Sequence, residues 1–402
     1  MKALVVGGGV AGPATALALG QVGIEAVVLE AHAPDTSAGS YLTLAPNGVD
    51  ALNALGALDA VGPAGFASRT NRMYGAGGRH LGTLSLGQPL PDGTVALTLK
   101  RSQLATRLAD LARERGIEVR HNTQVVDIRI LPDGAEVRLA DGSTLRTGLL
   151  VGADGVHSRV RRAIDPAAPG GRYVGLTNFG GITHGTPLAA ELPPAAWHFV
   201  FGRRAFFGAH PTPGGDVVWF VNVPRPAISR EERAATSHDA WQRLLLDLLA
   251  DDAGPGRDLV SSGTLELAGD NTYDLGHVPH WHRGRAVLVG DAAHAPSPSS
   301  GQGASLALED AVALALAMTH SRASSDLGAA LAAFEQGRRP RVERVVRAGA
   351  RSSSVKTPGP VGRAVRDTAL RVAFRWFVTD RSTAWMTEHR VARPGPPADQ
   401  PR

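Results

Sequence analysis

The order of apolar and polar positions near the N-terminus predicts a strand, a helix and a second strand. A short valine-rich run, Lys2–Val6, is followed by small and apolar residues at Ala14–Val22 and by a second apolar run, Glu25–Glu30. Short apolar runs of this kind are typical of buried parallel strands, and Gly23 would end the helix between them. The stretch therefore predicts a βαβ unit of about 30 residues.

In residues 101–150 the apolar positions are spaced first as in a helix and then as in strands. Arg101–Arg115 is predicted as an amphipathic helix, because its leucines form one stripe and its charges lie opposite. From Glu118 to Leu150 the pattern predicts strands, with turns at Pro132-Asp133-Gly134 and at Asp141-Gly142.

Between residues 170 and 275, short aromatic and β-branched runs are interrupted by glycine and proline, which predicts an antiparallel sheet. After it, a strand-like run leads into alanine- and leucine-rich helical sequence. The predicted elements of this part are strands at Trp197–Phe201, Ala205–Ala209, Val217–Val223 and Arg285–Gly290, and helices at His238–Leu249, Gly303–Met318, Leu327–Ala348 and Val361–Phe377. Together the patterns predict an α/β fold.

Composition mainly excludes classes of protein. With 402 residues, 43% of them hydrophobic, the chain can bury a large core. No apolar run approaches the roughly 18 residues that a membrane span needs, and the first run has no cleavage site after it, so we expect a cytoplasmic protein. The absence of cysteine excludes disulfides, zinc–thiolate sites and thiol catalysis.

The net charge of +5 raises the question of a nucleic-acid partner. The positive residues are mostly scattered arginines, with one cluster at Gly337–Arg344. That cluster has no interleaved aromatic residue on which a base could stack. We therefore expect no nucleic-acid partner, and we attribute the charge to the overall bias towards alanine, glycine, proline and arginine.

Three glycine-rich segments, each at the end of a predicted strand, carry the candidate chemistry. They are Val6–Gly12, Gly152–Arg161 and Val289–Ser305. A strand that breaks into a glycine turn and then a helix is a site where phosphates and ribose hydroxyls are held. Three such segments in one chain predict a single large dinucleotide lying across one domain.

The first segment has the spacing of a dinucleotide-binding turn. Gly7 would permit the tight turn, Gly9 would let a pyrophosphate approach the backbone, and Gly12 would let helix and strand pack closely. Helix N–H groups then face the anion. Glu30, at the end of the next predicted strand, is the candidate acceptor for ribose hydroxyls.

The second and third segments each leave alternatives open. Asp154 either caps the helix that runs through Arg161 or faces a ligand, and both roles are compatible. Asp291 is suited to a polyol or ribityl chain, and Gly301–Ala304 opens a helix whose N–H groups would stabilise negative charge on an aromatic ring system. His294 is either a base or a residue that holds the turn, and the second role is the more common one.

Taken together, these residues resemble the group A FAD-dependent monooxygenases, the aromatic hydroxylases related to p-hydroxybenzoate hydroxylase. The resemblance extends from Lys2 to about Arg351. It implies a Rossmann-like FAD-binding domain (residues 1–170 and 276–351) interleaved with an antiparallel substrate-binding sheet (171–275), which some strands before residue 100 join. A C-terminal helical segment (352–391) and a proline-rich, disordered tail (392–402) would follow.

The resemblance also implies a tightly but non-covalently bound FAD and assigns residues to each part of it. The FAD-binding candidates are Gly7, Gly9, Val10, Ala11 and Gly12 at the pyrophosphate, Glu30 at the adenosine ribose, Arg101 before its helix, Asp154 with Gly155, Ser158 and Arg161, Asp291 at the ribityl chain, Gly301, Gln302, Gly303 and Ala304 beside the isoalloxazine, and Pro298 over its reacting edge. No metal is implied.

In that family, NADPH or NADH binds transiently and reduces the FAD, and oxygen then gives a flavin C4a-hydroperoxide. One oxygen atom passes to an electron-rich substrate, so hydroxylation or epoxidation of an aromatic or polyketide-like small molecule is expected. Ala31–Ser37 has no arginine to select a 2′-phosphate, which leaves NADPH and NADH both open. Ser305 stands where many relatives have asparagine. A monomer or a homodimer is expected.

The substrate would lie between the flavin and the predicted antiparallel sheet. At alternate positions half of the sheet's aromatic residues face a pocket, and the sequence cannot say which half. His210 and Arg204 are the candidate catalytic side chains. A halogenase is disfavoured, since Trp219–Pro224 lacks the second tryptophan of a Trp-x-Trp-x-x-Pro motif and no lysine lies between Lys100 and Lys356. An oxidase or dehydrogenase, and a non-catalytic flavin-binding ligand carrier, remain alternatives.

Overall fold

The computed structural model describes residues 1–34, 40–324, 326–354 and 380–392. The strands are β1 (Lys2–Val6), β2 (Glu25–Leu29), β3 (Tyr41–Leu44), β4 (Phe66–Ser68), β5 (Thr70–Gly75), β6 (His80–Ser85), β7 (Ala96–Lys100), β8 (Glu118–Arg120), β9 (Val125–Leu131), β10 (Gly134–Leu139), β11 (Thr144–Thr147), β12 (Leu149–Gly152), β13 (Arg172–Thr183), β14 (Ala196–Phe201), β15 (Phe206–Pro211), β16 (Val217–Pro224), β17 (Thr264–Asp274), β18 (His282–Arg283) and β19 (Ala286–Leu288).

The helices of the described residues, in chain order, are α1 (Ala11–Gln21), α2 (Pro46–Ala54), α3 (Leu58–Val61), α4 (Arg101–Glu114), α5 (Arg159–Ile164), α6 (Leu188–Glu191), α7 (Arg230–Ala235), α8 (His238–Leu248), α9 (Gly256–Ser262), α10 (Gly303–Ser324), α11 (Leu327–Ser354) and α12 (Asp380–Thr387). Short 3-10 helices lie at Gly62–Ala64, Gly290–Ala292 and Pro298–Ser300. The predicted helix Val361–Phe377 and residues 393–402 of the predicted tail lie outside the described residues.

The N-terminal βαβ unit is confirmed and forms the centre of a six-stranded sheet. Its strand order is β18-β19-β12-β1-β2-β8, and every pair is parallel except β18–β19. The last four residues of both β1 and β2 are buried, as their apolar runs predicted. Helix α1 begins at Ala11, three residues before the predicted start, because the helix follows the glycine turn directly. Helices α1 and α10 pack together beside this sheet.

The antiparallel sheet has seven strands in the order β17-β13-β16-β15-β14-β5-β6. Strands β5 and β6 come from the chain before residue 100 and form one edge of it, with β5 parallel to β14. One face is covered by α8 and α9, where Phe179, Phe207 and Trp219 pack against Trp241 and Leu259. The opposite face is turned towards a three-stranded sheet, β3-β7-β4.

Strands β9, β10 and β11 form a further antiparallel sheet whose connections lie at the two turns predicted from the sequence. The fold is therefore mixed α/β, with parallel and antiparallel sheets and helices towards the C-terminus, as expected. None of the described helices combines the length and apolar character needed to cross a membrane.

Candidate functional site

The three glycine-rich segments meet at one edge of the six-stranded sheet. They follow β1, β12 and β19, which are adjacent and mutually parallel, in the order β19-β12-β1. Adjacent parallel strands end on the same side of a sheet, and ligands of open α/β sheets bind outside the carboxyl ends of the strands. The topology therefore gathers segments that are far apart in the sequence into one site.

Each pair of segments is in direct contact. A Cβ on Gly7 would meet the Ala153 carbonyl oxygen at 2.3 Å, which joins the first and second segments. A Cβ on Gly290 would meet the Ala11 Cβ at 2.9 Å, which joins the first and third. The second and third are joined by buried Arg161, whose Nη1 donates to the Ala292 carbonyl oxygen over 3.0 Å.

Gly9 differs from Gly7 and Gly12, the other two glycines of the dinucleotide-binding spacing, in what surrounds it. Gly7 has φ +109° and Gly12 lies where a Cβ would stand 1.9 Å from the Gly7 carbonyl oxygen, so the protein itself requires both. A Cβ on Gly9 would meet no described atom within 4 Å. Helix α1 begins at Ala11 with no side-chain cap, which leaves its first N–H groups for another acceptor. The open space at Gly9, together with the first N–H groups of α1, fits a phosphate.

Glu30 stands directly after β2 and organises the first segment. Its Oε2 accepts a hydrogen bond from the Gly8 N–H over 2.5 Å, and its Oε1 accepts from the His32 backbone N–H over 2.9 Å. The carboxylate is mostly but not fully buried, with 19% of its side chain exposed. It can therefore hold the glycine turn and still accept from a ribose hydroxyl.

Asp154 has the capping role that the sequence allowed. Its carboxylate accepts from the Ser158 hydroxyl over 2.5 Å and from the Arg159 N–H over 2.6 Å, while Ser158 Oγ accepts from the Arg161 N–H. Burial raises the pKa of Asp154, and these hydrogen bonds oppose the shift. Asp154 and Ser158 together fix the N-terminus of α5, and with it the contact that Arg161 makes to the third segment.

Asp291 has no such protein partner. It is half-buried in the 3-10 turn after β19, and no hydrogen-bond donor from the described part of the chain reaches its carboxylate. Burial raises its pKa, and the positive charge of nearby Arg101 opposes that rise. A carboxylate that is partly removed from water without a donor fits a ligand that supplies hydroxyl groups.

The rest of the third segment forms a turn in front of a long helix. Pro298 is exposed at the start of its 3-10 turn, and Gly301 has φ +62°, a left-handed conformation that favours glycine. Helix α10 then begins at Gly303, whose Cβ position is 3.8 Å from Asp291 Oδ1. The first turn of α10, which includes Gly303 and Ala304, thus begins beside the Asp291 carboxylate.

His294 holds the backbone of the third segment. Its Nε2 donates to Asp310 Oδ2 over 2.6 Å, and the same oxygen accepts from the Gly290 N–H over 2.9 Å. Both side chains are buried, with 2% and 0% exposed. Burial alone would raise the pKa of Asp310, but His294 and Arg338 outweigh it and lower the pKa to about 2. His294 is thereby fixed as a support for the turn, the second of the two roles open from the sequence.

A buried ionic network continues from Asp310 and was not found from the sequence. Arg338 donates to Asp310 Oδ1 over 2.8 Å and to Glu309 Oε2 over 2.7 Å. Arg341 also binds Glu309, and Asn47 Nδ2 donates both to Glu309 and to Gln302 Oε1. The signals were two acidic residues in an otherwise apolar helix and two arginines three residues apart in the arginine cluster.

The two candidate catalytic side chains lie elsewhere. Arg204 stands in the turn before β15 and donates to Asp247 Oδ2 over 2.9 Å, at the end of α8. His210 is fully buried in β15, and burial lowers its pKa to about 4, against the opposing hydrogen bond to the Pro211 carbonyl. Each of them is hydrogen-bonded within the seven-stranded sheet or to the elements packed on it.

His210 ends a chain of buried hydrogen bonds whose direction is fixed at both ends. At one end the Trp197 indole N–H can only donate, and it donates to Thr43 Oγ1 over 2.8 Å. At the other end His210 Nδ1 donates to the Pro211 carbonyl, so Nε2 of the neutral ring must accept from Ser68 Oγ over 2.9 Å. Thr43 therefore donates to Thr98, and Thr98 donates to Ser68. The chain joins the three-stranded sheet to the seven-stranded one.

The donor set fits FAD along its length. The open cradle at Gly9 suits a pyrophosphate, Glu30 suits a ribose, and unpartnered Asp291 suits the hydroxyls of a ribityl chain. The first turn of α10 presents N–H groups beside Asp291, where a ring that gains negative charge would be stabilised. Among the described residues no group of three or more His, Asp or Glu side chains could hold a metal ion.

Comparisons with known proteins agree with this geometry. A family profile described as "FAD binding domain" matches residues 1–349. A 3-amino-4-hydroxybenzoate 2-monooxygenase of Streptomyces platensis is 31% identical over 92% of this chain and 92% of its own length. A 3-hydroxybenzoate 6-hydroxylase of Klebsiella oxytoca is 29% identical over 86% of each.

The crystal structure of Klebsiella pneumoniae HpxO complexed with FAD and uric acid superimposes with a TM-score of 0.80 at 25% identity, over 96% of this chain and 97% of that one. The expected fold, cofactor and family are therefore confirmed. The chain belongs to the FAD binding domain family, and it is a flavoprotein of the group A type whose relatives are FAD-dependent aromatic hydroxylases.

Proposed function

We propose that this flavoprotein is an NAD(P)H-consuming monooxygenase that inserts one oxygen atom of O2 into an electron-rich aromatic or polyketide-like small molecule. The observation that carries the proposal is the meeting of the three segments at one sheet edge, where Gly9 leaves open space and no donor among the described residues reaches the Asp291 carboxylate. The names of two relatives, which specify hydroxybenzoates, support a small aromatic substrate.

The residues would share the cofactor as follows. Gly7, Gly9, Gly12 and the N-terminus of α1 (Val10 and Ala11) hold the pyrophosphate, while Glu30 holds the adenosine ribose. Arg101 and Asp291 hold the ribityl part, and the Pro298–Ala304 turn lies beside the ring. Residues 1–170 with 276–351 would form the FAD-binding domain, and residues 171–275 most of the substrate-binding sheet.

When bound, FAD supplies the redox chemistry, since it takes two electrons from the nicotinamide and activates O2. Overall, NAD(P)H, O2, a proton and the substrate give NAD(P)+, water and the oxygenated substrate. The protein's own residues bind the cofactor and orient it. The Asp310 network fixes Gly290 and Gln302, and the Asp154–Arg161 contacts fix the second segment against the third. No described side chain is assigned as the catalytic base.

The test is oxygen transfer from labelled O2. The FAD-loaded protein is incubated with NADPH or NADH, labelled O2 and a panel of phenols, and the products are examined by mass spectrometry. One labelled oxygen atom per product molecule is expected. Product that lacks the label would favour an oxidase or dehydrogenase, and no NAD(P)H consumption with any member of the panel would favour a flavin-binding carrier.

A further inference from the structure

One face of the seven-stranded sheet carries no formal charge across five neighbouring strands. We call it the inner face, because it is turned away from α8 and α9 and towards the three-stranded sheet. Strand pairing aligns its members on β5, β14, β15, β16 and β13: Asn71, Met73, Trp197, Phe199, Phe201, Phe206, Gly208, His210, Val218, Phe220, Asn222, Asn178, Gly180 and Ile182. All of these are uncharged residue types except His210, whose lowered pKa keeps it neutral.

Aromatic rings form the middle of the inner face. The ring centre of Phe220 lies 5.5 Å from that of Trp197 and 5.9 Å from that of Phe206. Phe199 stacks on Trp197 with centres 5.6 Å apart. A Cβ on Gly208 would meet Phe220 at 2.5 Å and Phe199 at 2.9 Å, so glycine allows both rings to lie over its strand. The result is a continuous aromatic surface.

The indole and imidazole groups among these rings are already hydrogen-bonded. The Trp197 indole N–H donates to Thr43, and both ring nitrogens of His210 are hydrogen-bonded. Glu266 of β17, at the margin of the face, is neutralised by Lys100 at 2.7 Å. The inner face therefore presents ring surface and neutral amides such as Asn71, but no cation.

The inner face adjoins the proposed flavin site. Tyr41 and Phe66 of the three-stranded sheet cover one end of it, against Trp197 and Val218. Strand β7 of that sheet runs directly into Arg101, whose charge acts on Asp291. At the other end Phe199 and Phe220 are only half-buried, and a Cβ on Gly180 would make only ordinary contacts, the nearest at 3.5 Å. Part of the Phe199 and Phe220 ring surface is thus left accessible.

We propose, on the basis of the monooxygenase function proposed above, that the inner face binds the ring system of an uncharged aromatic substrate and discriminates against a carboxylate on that ring. A ring stacked on Phe199 and Phe220 gains apolar and edge-to-face contacts. A carboxylate pressed against the same surface would lose its hydration and receive no compensating cation from the sheet. The substrate would then differ in charge from the hydroxybenzoates that name two of the relatives.

The experiment compares two probes that share one ring system, 1-naphthol and 1-hydroxy-2-naphthoate. Each is titrated by calorimetry into the FAD-loaded protein, so the readout is binding and does not depend on turnover. We expect the naphthol to bind at least tenfold more tightly. Equal or tighter binding of the naphthoate, or no binding of the naphthol, would overturn the proposal.

Variants at Phe220 locate the effect. F220R places a cation on the inner face and should raise the naphthoate affinity relative to naphthol at least tenfold, whereas F220L should weaken naphthol binding and keep the original preference. Thr83→Arg adds the same charge at an exposed position of β6 that pairs with Arg72, on the side of the sheet opposite the inner face, and should leave the ratio unchanged. With FAD retained, an unchanged ratio in F220R or an unchanged naphthol affinity in F220L contradicts the proposal.

Failure of this inference is distinguishable from failure of the proposed function. A protein that prefers naphthol but transfers no labelled oxygen to any phenol would overturn the monooxygenase and leave the binding preference intact. A protein that transfers labelled oxygen but binds the naphthoate more tightly would overturn the inference alone.

Discussion

Gly7 and Ala153 lie so close that a Cβ on Gly7 would stand 2.3 Å from the Ala153 carbonyl oxygen. This backbone contact joins the ends of β1 and β12, and it leaves Gly9, two residues further on, facing open space. The two glycines of one motif therefore have different physical requirements. Gly7 is required by the protein's own backbone, and we propose that Gly9 is required by the phosphate that the protein binds.

Alanine at these two glycines should separate folding from binding. Gly7→Ala should destabilise the FAD-free protein by more than about 2 kcal/mol, because it combines a clash with a left-handed φ. Gly9→Ala should change the stability of the FAD-free protein by no more than about 0.5 kcal/mol and weaken FAD binding at least tenfold. Urea unfolding and FAD titration measure the two effects. Equal losses in both assays would refute the distinction.

Glu30→Ala should weaken FAD binding by about 1.5–3 kcal/mol, the value of a hydrogen bond to a charged group. Glu25→Ala is the matched control. Glu25 is the first residue of β2, the strand that Glu30 follows, and its side chain forms an exposed ion pair with Lys2. Fluorescence titration of FAD into the FAD-free proteins gives both affinities. FAD retention by Glu30→Ala equal to that of the control would remove Glu30 from the site.

Asp291→Asn should stabilise the FAD-free protein while weakening FAD binding. Because burial raises the folded-state pKa of Asp291, its ionised form destabilises the fold. Below the unfolded pKa of about 3.9, Asp291 is protonated and the parent protein has its full stability. As pH rises through the folded pKa, the parent loses stability relative to the variant. Thermal melts from pH 4 to pH 8 should show a gap between the two proteins that widens with pH, and a constant gap would argue against it.

Asp310→Asn should cost about 3–5 kcal/mol of stability at pH 7, because it leaves the buried Arg338 without one of its charge partners. The pKa of Asp310 is lowered to about 2, so its contribution is present above the unfolded value and is lost as pH falls towards 2. Asp110→Asn, which removes an exposed pair with Arg113, is the control. Denaturant unfolding at pH 7 and pH 3 tests this, and a loss no larger than the control's would contradict it.

His210→Leu should destabilise the protein by about 1–3 kcal/mol at pH 7.5, since the Ser68 hydroxyl loses its acceptor inside the core. The folded pKa of His210 is about 4, so the parent's advantage is fully present above the unfolded value near 6.5 and declines as pH falls towards 4. His80→Leu on the exposed edge strand is the control. If the destabilisation caused by His210→Leu grew as the pH fell, His210 would be charged in the folded protein.

The candidate site was predictable from sequence wherever a local backbone requirement dictates the residue. The left-handed φ of Gly7, the close approach of Gly12 to the Gly7 carbonyl and the helix cap at Asp154 all depend on neighbours within a few residues, whereas the contact of Gly7 with Ala153 does not. The role of Asn47, by contrast, had no local signal. Its amide joins Gln302 to Glu309, residues brought next to it only when α2 packs against α10.

The sequence by itself determined the βαβ unit, the strand-end glycine segments and the alternating aromatic strands, because hydrophobic period and glycine conformation act over short distances. The tertiary structure decided that β19, β12 and β1 are neighbours, and therefore that the three segments share one edge. It also decided which aromatic residues face inward. Alternation gives two sets of side chains, and only the packing of α8 and α9 over Phe207 and Trp219 leaves Phe199 and Phe220 on the other side.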